Sequence, residues 1–529
     1  PTSTMTMTMT RTATASKAQT SIVDEESKLL TGATLVESGG EDGEKPEAEE
    51  DGETTEEETI SAEILLEDCH AKYNPKCMFE SENWGTGTAS MLNEITSLLK
   101  NIVGSGGLSL PAGIAVFGNN PTAVIPSIIV IFILGIINAY SFSLLGRVCS
   151  VTKSKTYGQA WHRTVGRRYG PKYNIYVDLT VAIKSILGAW SFSILISSTC
   201  TPLVQLLLWN LFSNDEGTTD LISRDDSLPV AITSSLRAKV LLYITAFVIL
   251  PMCLLERIGS LVIFSTIGQI GTIVTILTMI IRFFDGSYQE GGKFYDDLPT
   301  ELRPTFGTDK GAMAFFSPQS LVLISILSTG YVAHYNAPKY FHELKDHTTG
   351  RFNAVVNWSF LFAAITYMTV SSLGFLTFGE ASQGFILDNY SVSDPLATVA
   401  RLGVALSIIF AYPLLQHGGR DSILTCFSGR HHHTTWEIQG ITVIFLVVVT
   451  ALAIYINDLT FVLSFSGATM SSLIIYIFPP IMFGCLVKNC ACLGTFRTNW
   501  EVKESITMMV FGGILGVLGA AVTIYRQFF

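Results

Sequence analysis

Two short polar stretches interrupt apolar segments and hold the chain's best candidates for chemistry. The first begins at Asn101 and places Gly104, Gly106 and Gly107 within four positions, and the second runs over residues 328–338 and ends in a proline. Each glycine destabilises a helix by about 1 kcal/mol relative to alanine, so both stretches predict unwound backbone. At membrane depth such backbone is tolerated only where protein or a wet cavity satisfies its polar groups. Both stretches are therefore candidate sites.

The electrostatics of helix ends indicates which ligand such a pair of breaks would bind. The N-terminus of a half-helix offers N–H groups to a carboxylate, and a C-terminus offers carbonyl groups to an ammonium. An α-amino acid carries both charges. The alternative is that the small residues only allow close helix packing. The predicted substrate ligands are the backbone N–H groups of Ser105, Gly106 and Gly107 and the carbonyls and hydroxyls of Ser328, Thr329 and Gly330.

Three further polar residues lie within apolar segments. Lys184 lies about ten residues into its segment, roughly 15 Å along a helix, and is either a fixed cation or carboxylate partner, or a lysine that snorkels to the interface. His334 is either the carrier of a coupled proton or a neutral structural histidine. Asn101 is either a ligand of a cation or substrate, or a helix-to-helix hydrogen-bonding residue.

Several function classes are excluded by missing motifs. The sequence contains no GxxxxGK[ST] nucleotide loop, no HExxH metal motif and no basic stripe with interleaved aromatic residues, which argues against an enzyme, a resident metal or cofactor, and a nucleic-acid partner. Helix interruptions at corresponding positions of two halves of a chain are the best sequence indication of a transporter's central site. Without an ATP motif, such transport would be driven by an ion gradient or by the substrate gradient. The histidine tract at 431–433 is interpreted as a solvated loop.

Composition divides the chain into a tail and a membrane body. Only 15% of all residues are charged, against roughly 25% in soluble domains. Residues 1–90 nevertheless hold 20 Asp and Glu against 6 Lys and Arg, a composition that cannot bury enough apolar surface to fold. We therefore predict a disordered, acidic, cytosolic tail over 1–90 and an all-α polytopic transporter domain over 91–529, surrounded by the lipid bilayer.

Eleven apolar runs are long enough to cross a membrane, since about 20 helical residues span the hydrocarbon. Loop charge predicts their orientation, because Lys and Arg stay on the cytoplasmic side. The loop 147–172 holds seven Lys and Arg and no acidic residue, which predicts a cytosolic N-terminus. The predicted spans are Glu94–Phe117, Thr122–Gly146, Asn174–Leu203, Ala238–Leu255, Ile258–Ile281, Pro318–Phe341, Asn353–Phe378, Pro395–Gln416, Glu437–Ile456, Leu459–Leu486 and Ser505–Tyr525.

The two broken spans also carry a family resemblance. The stretches Asn101–Pro111 and Tyr331–Leu344 resemble the amino acid/auxin permease family, which includes sodium-coupled neutral amino acid transporters and vacuolar amino acid transporters. The resemblance covers the chain from about Ser90 onward. It implies eleven spans, a LeuT-like core of two inverted five-helix repeats followed by one extra helix, and secondary active transport of amino acids coupled to sodium or protons.

The resemblance also implies ligands for the coupling ion. Asn101 matches the first-span asparagine that helps to hold sodium in sodium-coupled members. Those members place a threonine shortly before the proline of span eight, but here the nearest serine or threonine before Pro413 is Ser407. Ser407 is thus a weak second ligand. Together with Lys184 and His334, this departure favours proton or relaxed coupling over sodium coupling.

The tail contains a short candidate sorting motif. Glu25 precedes the pair Leu29 and Leu30 by four residues, which fits the acidic dileucine motif that cytosolic sorting adaptors read. It predicts a vacuolar or lysosomal membrane, with the plasma membrane as the alternative.

The predicted function is secondary active transport of small neutral L-amino acids by alternating access. The rivals are an amino-acid sensor that signals through the tail, and an uncoupled facilitator.

Overall fold

The computed structural model describes residues 87–212, 234–255, 259–428, 434–489 and 496–529 of the 529-residue chain. The sorting pattern at Glu25, Leu29 and Leu30 and the histidine tract lie outside these residues. Throughout the described ranges the regular structure is helical, with two isolated β-bridges. The all-α part of the predicted fold class is therefore confirmed.

The α-helices of the described residues follow one another with few long connections, and short 3₁₀ or π turns join several of them. In chain order they are α1 Met91–Ile102, α2 Leu110–Ala115, α3 Val124–Thr152, α4 Tyr157–Trp161, α5 Arg167–Tyr169, α6 Asn174–Phe212, α7 Ser234–Ile244, α8 Leu250–Leu254, α9 Gly259–Phe284, α10 Ser320–Tyr331, α11 Ala337–Glu343, α12 Thr349–Phe378, α13 Pro395–Ser428, α14 Thr435–Tyr455, α15 Leu459–Ser466, α16 Phe478–Asn489 and α17 Phe496–Phe528.

Among the described residues, eight helices are long and apolar enough to cross a membrane. For two of the three predicted spans outside this count, the reason is physical. Predicted spans one and six are interrupted, which leaves pieces far shorter than the roughly 20 residues that a continuous span needs. Predicted span five coincides with α9, Gly259–Phe284, of which Ile270–Phe284 is counted as a shorter apolar helix. Eleven spans and a five-plus-five repeat remain predictions.

Several helices extend beyond their predicted ends. Helix α6 continues to Phe212, α13 continues to Ser428, and α17 begins at Phe496. The helical backbone continues past the predicted ends through polar residues in α13 and α17, and through a further, mainly apolar run over residues 204–212 in α6. The start of the body also differs. The Ala89 N–H donates to the Glu343 carbonyl at 3.0 Å, so residues assigned to the tail pair with the body.

The main packing partners explain where a central site can lie. Helix α13 packs along α6 and α9, while α12 packs along α3 and covers α1 and α2. The α9–α13 contact is close because Gly271 faces Gly403, and a Cβ on either would collide with the other's backbone. Helix α10 packs against α2, α15 and α17. The two short interrupted helices are thus enclosed by longer ones.

A buried ionic cluster joins the end of α9 to the start of α13. The fully buried Asp394 accepts two hydrogen bonds from Arg282, at 2.7 and 2.8 Å, and one from the Tyr288 hydroxyl at 3.0 Å. Burial raises the pKa of Tyr288, so its hydroxyl keeps the proton it donates. Arg401, also buried, donates to the carbonyl oxygens of Leu387 and Tyr390. These contacts fix the connections around the bundle end.

Candidate functional site

The first predicted break is confirmed. Helix α1 ends at Ile102, and Val103 and Gly104 leave the helical region with ψ values of 77° and −173°. A 3₁₀ turn over Ser105–Ser109 then continues directly into α2. A Cβ built on Gly104 or Gly106 would meet nothing within 4 Å, so this backbone borders open space. We call α1, the break and α2 interrupted helix one.

The second predicted break is also confirmed, and it lies near the middle of the predicted stretch. Helix α10 ends at Tyr331, Val332 and Ala333 are non-helical, and a 3₁₀ turn precedes α11. Residues 328–330 therefore form the last helical turn of α10 rather than unwound chain. The carbonyl groups of a last turn lack partners within the helix, so they are available to a ligand. We call α10, the break and α11 interrupted helix two.

Tyr367, on α12, connects the two breaks. Its hydroxyl lies 2.8 Å from the Ile102 carbonyl oxygen and 2.9 Å from the Gly330 carbonyl oxygen, so its single proton is shared between these two acceptors. Its ring packs on Gly107, where a Cβ would lie 2.6 Å from Cε1. Sequence reasoning missed Tyr367, since a tyrosine in an apolar helix is typical of any buried core. The glycines opposite it were the available signal.

The hydroxyls of Ser328 and Thr329 bind protein instead of facing a free site. Thr329 donates to the Leu463 carbonyl oxygen at 2.7 Å. Ser328 donates to its own helix, at the Ile324 carbonyl oxygen, and accepts from the Tyr476 hydroxyl at 3.2 Å. Both hydroxyls thus hold α10 against the segment that runs from α15 to α16, which leaves the backbone carbonyls as the ligands that this turn can offer.

Lys184, on α6, turns inward. Its Nζ donates to the hydroxyls of Ser466 at 2.8 Å and Ser471 at 3.0 Å. These serines border a π-helical turn, Gly467–Ser471, and a second π turn follows at Leu473–Ile477. π turns occur frequently at functional sites. The contact rules out snorkelling toward the membrane surface in this conformation, and the π turns are a feature that the sequence did not reveal.

His334 is fully buried in the break of interrupted helix two. Its Nε2 lies 3.2 Å from the Asn138 carbonyl oxygen. Because a carbonyl can only accept, Nε2 carries the proton. The other ring nitrogen, Nδ1, is buried and has no hydrogen-bond partner among the described residues. The ring also packs edge-on against Phe142, with centroids 5.2 Å apart. The histidine therefore combines a structural bond with one open acceptor.

The two remaining predicted ion ligands lie on different elements. Asn101 is in the last turn of α1, and its buried Nδ2 makes no hydrogen bond of ordinary geometry to any described residue. Ser407 is on α13, whose principal neighbours are α6 and α9. Among the described side chains, no hydrogen bond joins Asn101 to Ser407. Asn101 is thus part of interrupted helix one, whereas Ser407 lies on a separate helix, α13.

Comparison with known families decides the class of the protein. The family model described as "Transmembrane amino acid transporter protein" matches residues 87–525. The chain belongs to this family. The match begins at the residues that pair with the body and includes both interrupted helices. The membrane amino acid transporter family is also the one that the motifs of the two breaks predict, so that prediction is confirmed.

The relatives of this chain include proteins of a plant, a yeast and a fish. Amino acid transporter AVT6E of Arabidopsis thaliana is 22% identical, covering 84% of this chain and 85% of its own. Vacuolar amino acid transporter 5 of Schizosaccharomyces pombe is 22% identical, covering 75% and 84%. Sodium-coupled neutral amino acid symporter 2 of Danio rerio is 25% identical, covering 78% and 79%. A crystal structure of MhsT in complex with L-phenylalanine matches with a TM-score of 0.47 and 13% identity, covering 82% of this chain and 100% of that one.

Proposed function

We propose that this family member is a secondary active transporter of small neutral L-amino acids that works by alternating access around interrupted helices one and two. The observation that carries the proposal is the pair of breaks, held side by side by one Tyr367 hydroxyl and bordered by open space at Gly104 and Gly106. Helix breaks at corresponding positions of two repeats are typical of the central site of a transporter. Membership of an amino acid transporter family supports the substrate class.

The two ends of the substrate would contact different interrupted helices. Its carboxylate would accept hydrogen bonds from the N–H groups that begin the 3₁₀ turn, those of Ser105 and Gly106. The third predicted donor, Gly107, already donates to the Gly104 carbonyl at 3.2 Å, so it would contribute less. The ammonium group of the substrate would bind carbonyl oxygens of residues 328–330 at the end of α10. The Gly330 oxygen has a second lone pair beside the one that Tyr367 uses.

Coupling to a proton is supported better than coupling to sodium. Lys184 places its amine against the first π turn, where it donates to the hydroxyls of Ser466 and Ser471, and His334 offers Nδ1 as a place for one proton. Asn101 and Ser407 would be the ligands of a sodium ion, and they lie on different helices, α1 and α13. We therefore expect a proton gradient to drive accumulation, with sodium as the alternative outcome.

The wider membrane arrangement is also a proposal. Interrupted helices one and two would be the first members of two inverted five-helix repeats in a LeuT-like core of ten spans, with α17 as the extra helix. The basic loop between α3 and α6 supports a cytosolic N-terminus. The vacuolar relative supports a vacuolar or lysosomal membrane, and the plasma membrane is the alternative. Sorting adaptors would bind the tail pattern.

Substituting Gly106→Leu should weaken amino acid binding without unfolding the protein. The added side chain would enter the open space beside the break, where a Cβ meets nothing. We expect binding of a radiolabelled neutral amino acid to purified protein to weaken by at least about tenfold, which corresponds to ~1.4 kcal/mol. Gly440→Leu is the matched control, because Gly440 is exposed and also has nothing within 4 Å. Equal binding in both variants would contradict the proposed site.

Substituting Lys184→Met should uncouple transport. The change removes the ammonium between Ser466 and Ser471 but keeps an unbranched side chain of similar length. We expect uptake driven by a pH gradient in proteoliposomes to fall by at least about tenfold, or ~1.4 kcal/mol in transition-state terms. Amino acid exchange at equal pH should persist, because the substrate ligands are untouched. Loss of exchange and accumulation to the same degree would show that Lys184 has only a structural function.

A further inference from the structure

A groove between α3 and α12 opens on the outside of the helical body. The two helices run antiparallel, because Gly146 packs against Phe352 while Gly135 packs against Ala364. The groove encloses about 390 Å³, within the ~300–1,000 Å³ typical of small-molecule sites. Both helices are long and apolar enough to span the membrane. The opening therefore faces lipid.

The groove exists because small residues line its floor. Gly135, Ala139 and Ala364 leave space between the helix backbones, and larger apolar side chains form the rims. The rim residues Phe132 and Ile136 are 45% and 56% exposed. This part of the groove offers only apolar atoms, so its natural occupant is a hydrocarbon chain.

The other end of the groove is polar. Ser143, Arg147, Asn353 and Asn357 line it, near the C-terminus of α3 and the N-terminus of α12. Asn357 lies eight residues into α12, about 12 Å from its start, and is exposed on the lipid-facing surface. The Oδ1 of Asn353 is buried and has no hydrogen-bond partner among the described residues. This oxygen can only accept a hydrogen bond, so it does not bind a phosphate. The donors that this end offers to a ligand are the Arg147 guanidinium and the Nδ2 groups of Asn353 and Asn357.

Arg147 indicates the chemistry of that ligand. Its Nη1 donates to Glu501 at 2.7 Å, which uses one of five N–H donors of the guanidinium. Arginine binds phosphate well because its planar fork can donate two parallel hydrogen bonds. The adjacent asparagine amides add further donors. Several donors at one end match the oxygens of a phosphate diester better than the single hydroxyl of a sterol.

We propose that this groove binds one glycerophospholipid. Its phosphate would lie on Arg147 and the amides of Asn353 and Asn357, and one acyl chain would fill the apolar part along Gly135 and Ala364. The site is separate from the proposed substrate site. It is mechanically connected to it nonetheless, since Ala364 precedes Tyr367 by less than one turn of α12.

Native mass spectrometry of the full chain with added palmitoyl-oleoyl phosphatidylcholine tests the proposal. We expect one retained lipid on the wild type and about tenfold weaker retention, or ~1.4 kcal/mol, on Asn357→Leu. Thr366→Leu is the matched control, because Thr366 is on the same helix outside the groove and its hydroxyl bonds only its own helix, at the Phe362 carbonyl. Ile136→Trp, which narrows the groove, should also lose the lipid, whereas Ile133→Trp, on the same helix but outside the groove, should keep it.

Two results would overturn the proposal. Equal lipid retention by the wild type and all four variants would show ordinary annular lipid rather than a site. Displacement of the phospholipid by equimolar cholesterol would assign the groove to a sterol. Size-exclusion profiles of the variants establish that each is folded, so a lost lipid signal reports on the groove.

Discussion

Gly467→Ala should be the most destabilising single substitution among the contacts described above. Gly467 begins the first π turn and lies directly against α10, where an added Cβ would collide with the Ser325 carbonyl oxygen. A backbone oxygen cannot move aside without shifting the whole helix. We expect a loss of about 3 kcal/mol in stability, at the upper end of typical overpacking costs. Thermal unfolding of the purified protein, followed by fluorescence, measures the effect.

Gly484→Ala is the matched control for this substitution. Gly484 lies on α16, farther along the same segment, and a Cβ there would meet nothing within 4 Å. Alanine is favoured over glycine in a helix interior by up to about 1 kcal/mol, so the control should be neutral or slightly stabilising. Similar melting temperatures for the two variants would mean that α10 and the π turn are not packed as described.

Tyr367→Phe should nearly abolish transport while leaving the protein folded. The change removes the one hydroxyl that holds the Ile102 and Gly330 carbonyls together, and it keeps the ring that packs on Gly107. An unsatisfied buried carbonyl costs about 1–3 kcal/mol. We expect uptake to fall at least about tenfold, because ~1.4 kcal/mol in the barrier changes a rate by that factor. Initial rates of uptake into proteoliposomes measure the effect.

Tyr412→Phe separates loss of the bridge from general loss of a buried hydroxyl. Tyr412 is as buried as Tyr367, but its hydroxyl bonds Ser193 at 3.1 Å, between α13 and α6. We expect a comparable small loss of stability with uptake near the wild-type rate. If the two variants transport equally well, Tyr367 does not hold the breaks in their working geometry.

The sequence predicted the breaks because their causes are local. Glycines at 104, 106 and 107 disfavour helix wherever they occur, and Pro338 is best accommodated in the first turn of a helix, where it lies in α11. The exact position of the break in interrupted helix two was harder to predict from the sequence. A serine, a threonine and a glycine can end a helix or complete its last turn, and here Ser328 and Thr329 complete it because their hydroxyls bond the helix itself or the segment from α15 to α16.

The partners of the site residues could not be predicted from one sequence. The Tyr367 hydroxyl contacts a carbonyl 265 positions away, and Lys184 contacts a serine 282 positions away. Such pairs depend on the register of packed helices, which residue type alone does not encode. The π turns of the segment from α15 to α16 are equally hidden, because they change the helix geometry without a proline at the turn itself. Lys184 was recognised as unusual, but its interaction partners were not.

Accumulation of radiolabelled amino acids in proteoliposomes tests the central proposal most directly. A mixed panel is offered under a pH gradient or a sodium gradient, imposed separately across vesicles of known orientation. We predict saturable accumulation of small neutral L-amino acids above the equilibrium level under the pH gradient, with little effect of sodium. Accumulation under sodium alone would contradict the proposed coupling. Specific binding without accumulation under either gradient would contradict secondary active transport itself.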